Sequence, residues 1–80
     1  MALARYFVFE SDHDWLVTLD GAPIGRHPNR SAALNSAIVM ADLMGTMRHD
    51  ADVMLDDGGK LAIAWTYGVS DPPRVHGEAA

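Results

Sequence analysis

Asn29-Arg-Ser-Ala-Ala-Leu-Asn-Ser-Ala-Ile-Val-Met-Ala-Asp-Leu-Met44 is the stretch that decides the fold. Pro28 stops any strand before it, and Asn29 stands where a side-chain cap belongs, with Ser31 as the rival. Gly45 fits the left-handed position just past a helix end. Helical periodicity places Leu34, Ala37, Ile38, Ala41 and Met44 on one face, a core stripe whose alanines let the helix lie close to a sheet. Ala32, Val39 and Leu43 line up behind it, flanked by Met40 and Met47. A helix exposed at its back should be more polar than this.

Two strand-like runs precede the helix. Residues 5–10 are aromatic and β-branched, with Phe7 and Phe9 alternating against Tyr6 and Val8. Residues 15–20 carry Trp15, Val17 and Leu19 on one face. Ser11-Asp12-His13-Asp14 is a polar turn that joins them as a hairpin. Gly21 to Pro28 is read as a loop, with at most a short extended piece around Ile24 at the sheet edge. Two more runs follow the helix. Residues 51–56 have Val53 and Leu55 inward, and Asp57-Gly58 is a hairpin signal. In residues 60–67 Leu61, Ile63, Trp65 and Tyr67 alternate with Ala62, Ala64 and Thr66. The expected fold is therefore α+β, a ββαββ two-layer sandwich: a four-stranded antiparallel sheet with one helix on one face. Residues 1–69 form a single domain, and 70–80 are expected to be a disordered or loosely attached tail.

Several of these elements together resemble a known family. Trp15-x-Val17, the Ser31-Ala32-Ala33 helix start, the alanines at 37 and 41, the Asp57-Gly58 turn and the closing Tyr67-Gly68 are similar to a small bacterial family, domain of unknown function 2188. The resemblance covers about residues 6–68. It implies a small ββαββ-type domain and no established activity, so it carries no functional residue onto this chain.

Composition narrows the function classes. Eighty residues make one domain with a thin stability margin. Without cysteine, disulfides, thiolate metal sites and thiol catalysis are excluded. The apolar fraction of 49% is high for so small a chain, which makes oligomerisation the leading way to bury the excess. A net charge of −5, with Arg5, Arg26, Arg30, Arg48, Lys60 and Arg74 scattered, argues against nucleic-acid or anionic-lipid binding. No apolar stretch approaches the roughly 20 residues of a membrane span. The N-terminal residues do not read as a signal peptide, and a cytoplasmic protein is expected.

Chemistry-bearing groups are few. Asp12-His13-Asp14 and His49-Asp50-x-Asp52 offer imidazole and carboxylate ligands in short runs. Neighbouring residues of a strand point apart, and such runs are ordinary turn chemistry, so no metal and no cofactor is assigned. No nucleophile context and no phosphate-loop spacing occurs, and no enzyme activity is expected. Trp15, Trp65, Tyr67, Phe7 and Phe9 could stack on bases, but alternation assigns most of them to the core. What remains is association, as a homodimer or with an unidentified protein partner. The candidate interface residues are Tyr6, Val8, Leu16 and Met54 on the open sheet face, with Ala62 and Ala64 beside them, and Val39 and Leu43 on the helix back. The rival classes are a nucleic-acid-binding module and a metal-binding or enzymatic site assembled across a dimer interface.

Overall fold

The computed structural model describes residues 3–71. In chain order it has β1 (Leu3–Ser11), β2 (Asp14–Leu19), β3 (Ala22–His27), α1 (Arg30–Thr46), β4 (Asp50–Asp57) and β5 (Lys60–Thr66). The strands form one mixed sheet in the order β3-β2-β1-β4-β5. β1 is central, antiparallel to β2 and parallel to β4. The helix crosses one face of the sheet on the way from the β3 edge to β4.

The α+β class and the single helix are as expected, but the sheet has five strands rather than four and is mixed rather than antiparallel. The segment read as a loop contains β3. Asp20-Gly21, at φ 53° and 81°, makes a two-residue hairpin that pairs Leu19 with Ala22. Positive φ at both central residues gives a turn whose twist matches the flanking strands. Pro23 is tolerated because β3 is an edge strand and the β2–β3 register shifts at Val17/Thr18. Asp12-His13 (φ 51° and 69°) and Gly58-Gly59 (φ 66° and 90°) close the other two hairpins the same way. The last turn sits one residue later than Asp57-Gly58 suggests, pairing Asp57 with Lys60. There the Asp56 carboxylate accepts a hydrogen bond from the Gly59 amide at 3.0 Å.

Asn29 caps α1 as read, its side chain accepting from the Ala32 amide at 2.8 Å. The other end differs. Gly45 lies inside the helix, and Arg48 takes the left-handed conformation at φ 71°. The Arg48 amide donates to the Gly45 carbonyl at 3.0 Å and the His49 amide to the Met44 carbonyl at 3.1 Å, a paired closure of the last turn. Gly45 is needed for another reason: a methyl group there would fall within the Tyr67 ring.

The buried seam of the helix is Ala33, Ala37, Ala41 and Gly45, spaced four apart. Leu34, Ile38, Met40 and Met44 are half-buried flanks rather than the centre of the contact. The stripe is thus turned by one residue from the expected one, because the smallest side chains allow the closest approach and the larger ones fan out beside them. Below the seam lie Ala4, Tyr6, Val8, Val17, Ala51, Val53 and Trp65.

Two face assignments are corrected here. Tyr6 and Val8, expected on the open face, lie under the helix at 3% and 0% exposure. They pair with Leu19 and Val17, so the inward set of β2 draws them inward. In β5 the expected alternation breaks. Val53 pairs with Trp65 but the next residue, Met54, pairs with Ile63, leaving Ala64 as a bulge. Trp65 therefore stays inward while Leu61 and Ile63 turn to the open face. Ala62, opposite Leu55, is on the helix side, and Ala64 belongs to neither alternation.

At the C-terminal end, the indole N–H of Trp65 donates to the Asp71 carbonyl at 2.7 Å, and the Thr66 amide donates to Ser70 Oγ at 3.0 Å. Residues 70 and 71 are thus tied back to β5. The rest of the expected tail, 72–80, lies outside the described residues.

Gly45→Ala should destabilise the domain by about 1–3 kcal/mol through overpacking against Tyr67. At an unconstrained helix site the same change would gain about 1 kcal/mol. Val8→Ala should cost about 2–3 kcal/mol, the transfer of two methyl groups plus the cavity they leave. Urea unfolding of both variants checks the two values. A Gly45→Ala variant as stable as the parent would show that Tyr67 does not seat on the glycine.

Candidate interaction surface

The open face of the sheet is built from alternate residues of four strands. Phe7 pairs across the sheet with Thr18 on one side and Met54 on the other, and Met54 pairs with Ile63. In the neighbouring row Phe9 pairs with Leu16, and Asp56 pairs with Leu61. Phe7, Phe9, Leu16, Met54, Leu61 and Ile63 therefore share one face, on the side away from α1. Leu61 and Ile63 are 58% and 59% exposed; the other four are half-buried by one another.

Two ion pairs frame this apolar centre. Arg5 holds Asp52 with two hydrogen bonds, 2.9 and 2.8 Å, at the end where β1 begins. The Asp52 hydrogen bond, and then its charge, raise the Arg5 pKa above its ordinary value. Arg26 donates to Asp14 at 3.0 Å at the end where β1 finishes. The planar fork of Arg5 is matched at two points by Asp52, whereas Arg26 meets Asp14 through one nitrogen, so each arginine of the rim faces a carboxylate on its own side of the sheet.

Of the residues singled out from the sequence, Leu16 and Met54 are on this face. Tyr6 and Val8 are beneath the helix and cannot contribute without unfolding. Val39 and Leu43 are on the helix back, 47% and 59% exposed, with Met47 one turn further at 54%. The missed members are Phe7, Phe9, Leu61 and Ile63. Phe7 and Phe9 were recoverable: a two-residue turn at Asp12-His13 sets Tyr6 opposite Leu19, and the polar Thr18 then marks the outer face opposite Phe7. Leu61 and Ile63 depend on the bulge at Ala64, which no neighbouring residue type announces.

The two acidic and histidine runs are not brought together. Asp14 sits at one end of β1, opposite Ser11, and Asp50 at the other, opposite Leu3. At about 3.3 Å per residue these ends are about 25 Å apart. Asp14 and Asp52 are both engaged by arginine. Among the described residues no group of three or more His, Asp or Glu side chains is placed to hold a metal ion. Among them, too, no helix is long and apolar enough to cross a membrane.

Comparison of the chain with protein-family models, curated proteins and solved structures finds no match in any of the three.

One titrating group lies under the sheet's inner face. Burial, and then the charge of Asp20, raise the pKa of the Tyr6 phenol above its ordinary value. The folded state holds this proton more tightly than the unfolded chain, in which the phenol titrates near pH 10. The associated stability is fully present below about pH 10 and is lost as pH rises through the folded-state pKa. Chemical denaturation between pH 8 and about pH 11 should show stability falling at the alkaline end, and Tyr6→Phe should flatten that fall. An unchanged slope in Tyr6→Phe would place the titrating group elsewhere.

Proposed function

We propose that this chain acts by association, pairing with a second copy of itself through the open face of the sheet. The observation that carries this reading is the contiguous apolar centre of Phe7, Phe9, Leu16, Met54, Leu61 and Ile63, framed by two compensated ion pairs. An apolar centre with a polar rim is the anatomy of a protein interface. Large exposed apolar patches on small domains mark contact sites. Strands about 4.8 Å apart and about 20 Å long give this five-stranded face about 500 Å², so a face-to-face pair would bury about 1,000 Å². That reaches the lower bound of a specific interface. Twofold pairing sets apolar centre on apolar centre, with the two arginine–carboxylate pairs at the rim.

A second reading gains one observation. Phe7 and Phe9 lie on an open sheet face, where aromatic rings can stack on the bases of single-stranded nucleic acid. The electrostatics oppose it. Arg5, Arg26 and Arg30 each face a carboxylate, of Asp52, Asp14 and Asp57, and the chain carries a net charge of −5. Phosphate contacts need cations that are not already neutralised.

Light scattering across the micromolar range should give a mass above the 8.7 kDa of one chain, approaching twice that value at the upper end. Ile63→Glu should return the mass to that of one chain, whereas Leu43→Glu on the helix back should not. A single-chain mass throughout would refute the pairing, and the opposite outcome for the two variants would move it to the helix. Fluorescence polarisation with single-stranded DNA and RNA at about 150 mM salt should show no sub-micromolar binding.

A further inference from the structure

We infer that Asp56 sets the strength of the pairing proposed above, as a carboxylate inside the apolar face that must give up its water when that face closes. The inference rests on that pairing and adds to it the residue that limits it.

The strand register puts this carboxylate among apolar side chains. Asp56 pairs with Leu61 of β5. On its other side Val8 pairs with Leu55, so Phe9 and Asp56, the next residues of two parallel strands, share a row. Phe9 pairs in turn with Leu16. The row across the open face is thus Leu16, Phe9, Asp56 and Leu61, and Met54 precedes Asp56 on the same face of β4. Asp56 is already half-buried. A second copy that covers both Phe9 and Leu61 covers the group between them.

No cation meets this charge. Asp52 and Asp14 on the same face each hold an arginine, and Asp57 meets Arg30. Asp56 accepts one hydrogen bond, from the Gly59 amide to Oδ1 at 3.0 Å, and among the described residues it makes no ion pair. Glu10, Asp57 and Lys60, its charged neighbours along the strands, belong to the alternate set that points to the helix side. On the face itself, Arg26 stands three strands away in the same row and is held by Asp14, and Arg5 is held by Asp52. Closing the face therefore moves two carboxylates, one from each copy, out of water and against apolar side chains. An unpaired charge in such a place is strongly disfavoured, and the neutral form is preferred.

Sedimentation equilibrium over the micromolar to millimolar range reads the effect as a dissociation constant. Asp56→Asn, which keeps an acceptor for the Gly59 amide, should pair at least about tenfold more tightly than the parent at neutral pH. Asp42→Asn makes the same change of net charge on α1, off the face, and should leave the constant unchanged. Lowering the pH to about 4.5, toward the range in which carboxylates take up protons, should tighten the parent more than Asp56→Asn, since every other titration is common to the two. Should Asp56→Asn fail to fold, Asp56→Ser supplies a hydroxyl acceptor with the same loss of charge. An Asp56 variant that pairs no more tightly than the parent, while the parent pairs and Ile63→Glu splits it, would overturn this inference and leave the pairing intact. Equal tightening by Asp42→Asn would overturn it too, by assigning the effect to net charge. Single-chain masses for the parent and the Asp56 variants alike would overturn the pairing itself, and the inference with it.

Discussion

The close contact of the Ala33-Ala37-Ala41-Gly45 seam with the sheet is the constraint on which the rest of the structure depends. Side chains this small bring the helix axis near β1 and β4, and the strands answer with Tyr6, Val8, Ala51 and Val53. The domain is only 20 Å thick as a result. A thin two-layer domain has one buried face per sheet, so the apolar residues of the outer face are left without cover from the helix. The apolar excess noted in the composition and the exposed patch on the sheet are the same fact, seen at two levels.

The seam also explains where glycine is required. Helix interiors disfavour glycine on entropic grounds, and its place one residue before the last of α1 looks like a stop. Its actual task is steric, since Tyr67 occupies the space of its missing side chain. Arg48, with its side chain exposed, absorbs the left-handed conformation instead. A residue was thus recognised as special for one reason and is special for another.

Much of the architecture was legible in the chain. The helix and its Asn29 cap, the two outer hairpins and the α+β class follow from periodicity and turn chemistry. The third hairpin was marked by Asp20-Gly21 but hidden behind Pro23 and Pro28, which read as loop residues until the strand is known to lie at an edge. Strand order was not legible, because β1 is apolar on both faces and suits the middle of either arrangement. Of the candidate surface, Leu16 and Met54 were found. Phe7 and Phe9 needed the register of the first turn carried through to its consequence. Leu61 and Ile63 needed the bulge, a property of the β4–β5 pairing and not of any single residue type.

The irregularities of the outer strands have a consequence for how the protein avoids fibres. Both edges of the sheet are spoiled for backbone pairing: β3 by Pro23 and its register shift, β5 by the Ala64 bulge and by Lys60 at its start. Unpaired strand edges template the addition of further strands without limit, and prolines, bulges and lysines are the usual deterrents. A face, unlike an edge, is used up once it is covered. On the pairing proposed above, the spoiled edges therefore give a dimer no route to grow by adding strands.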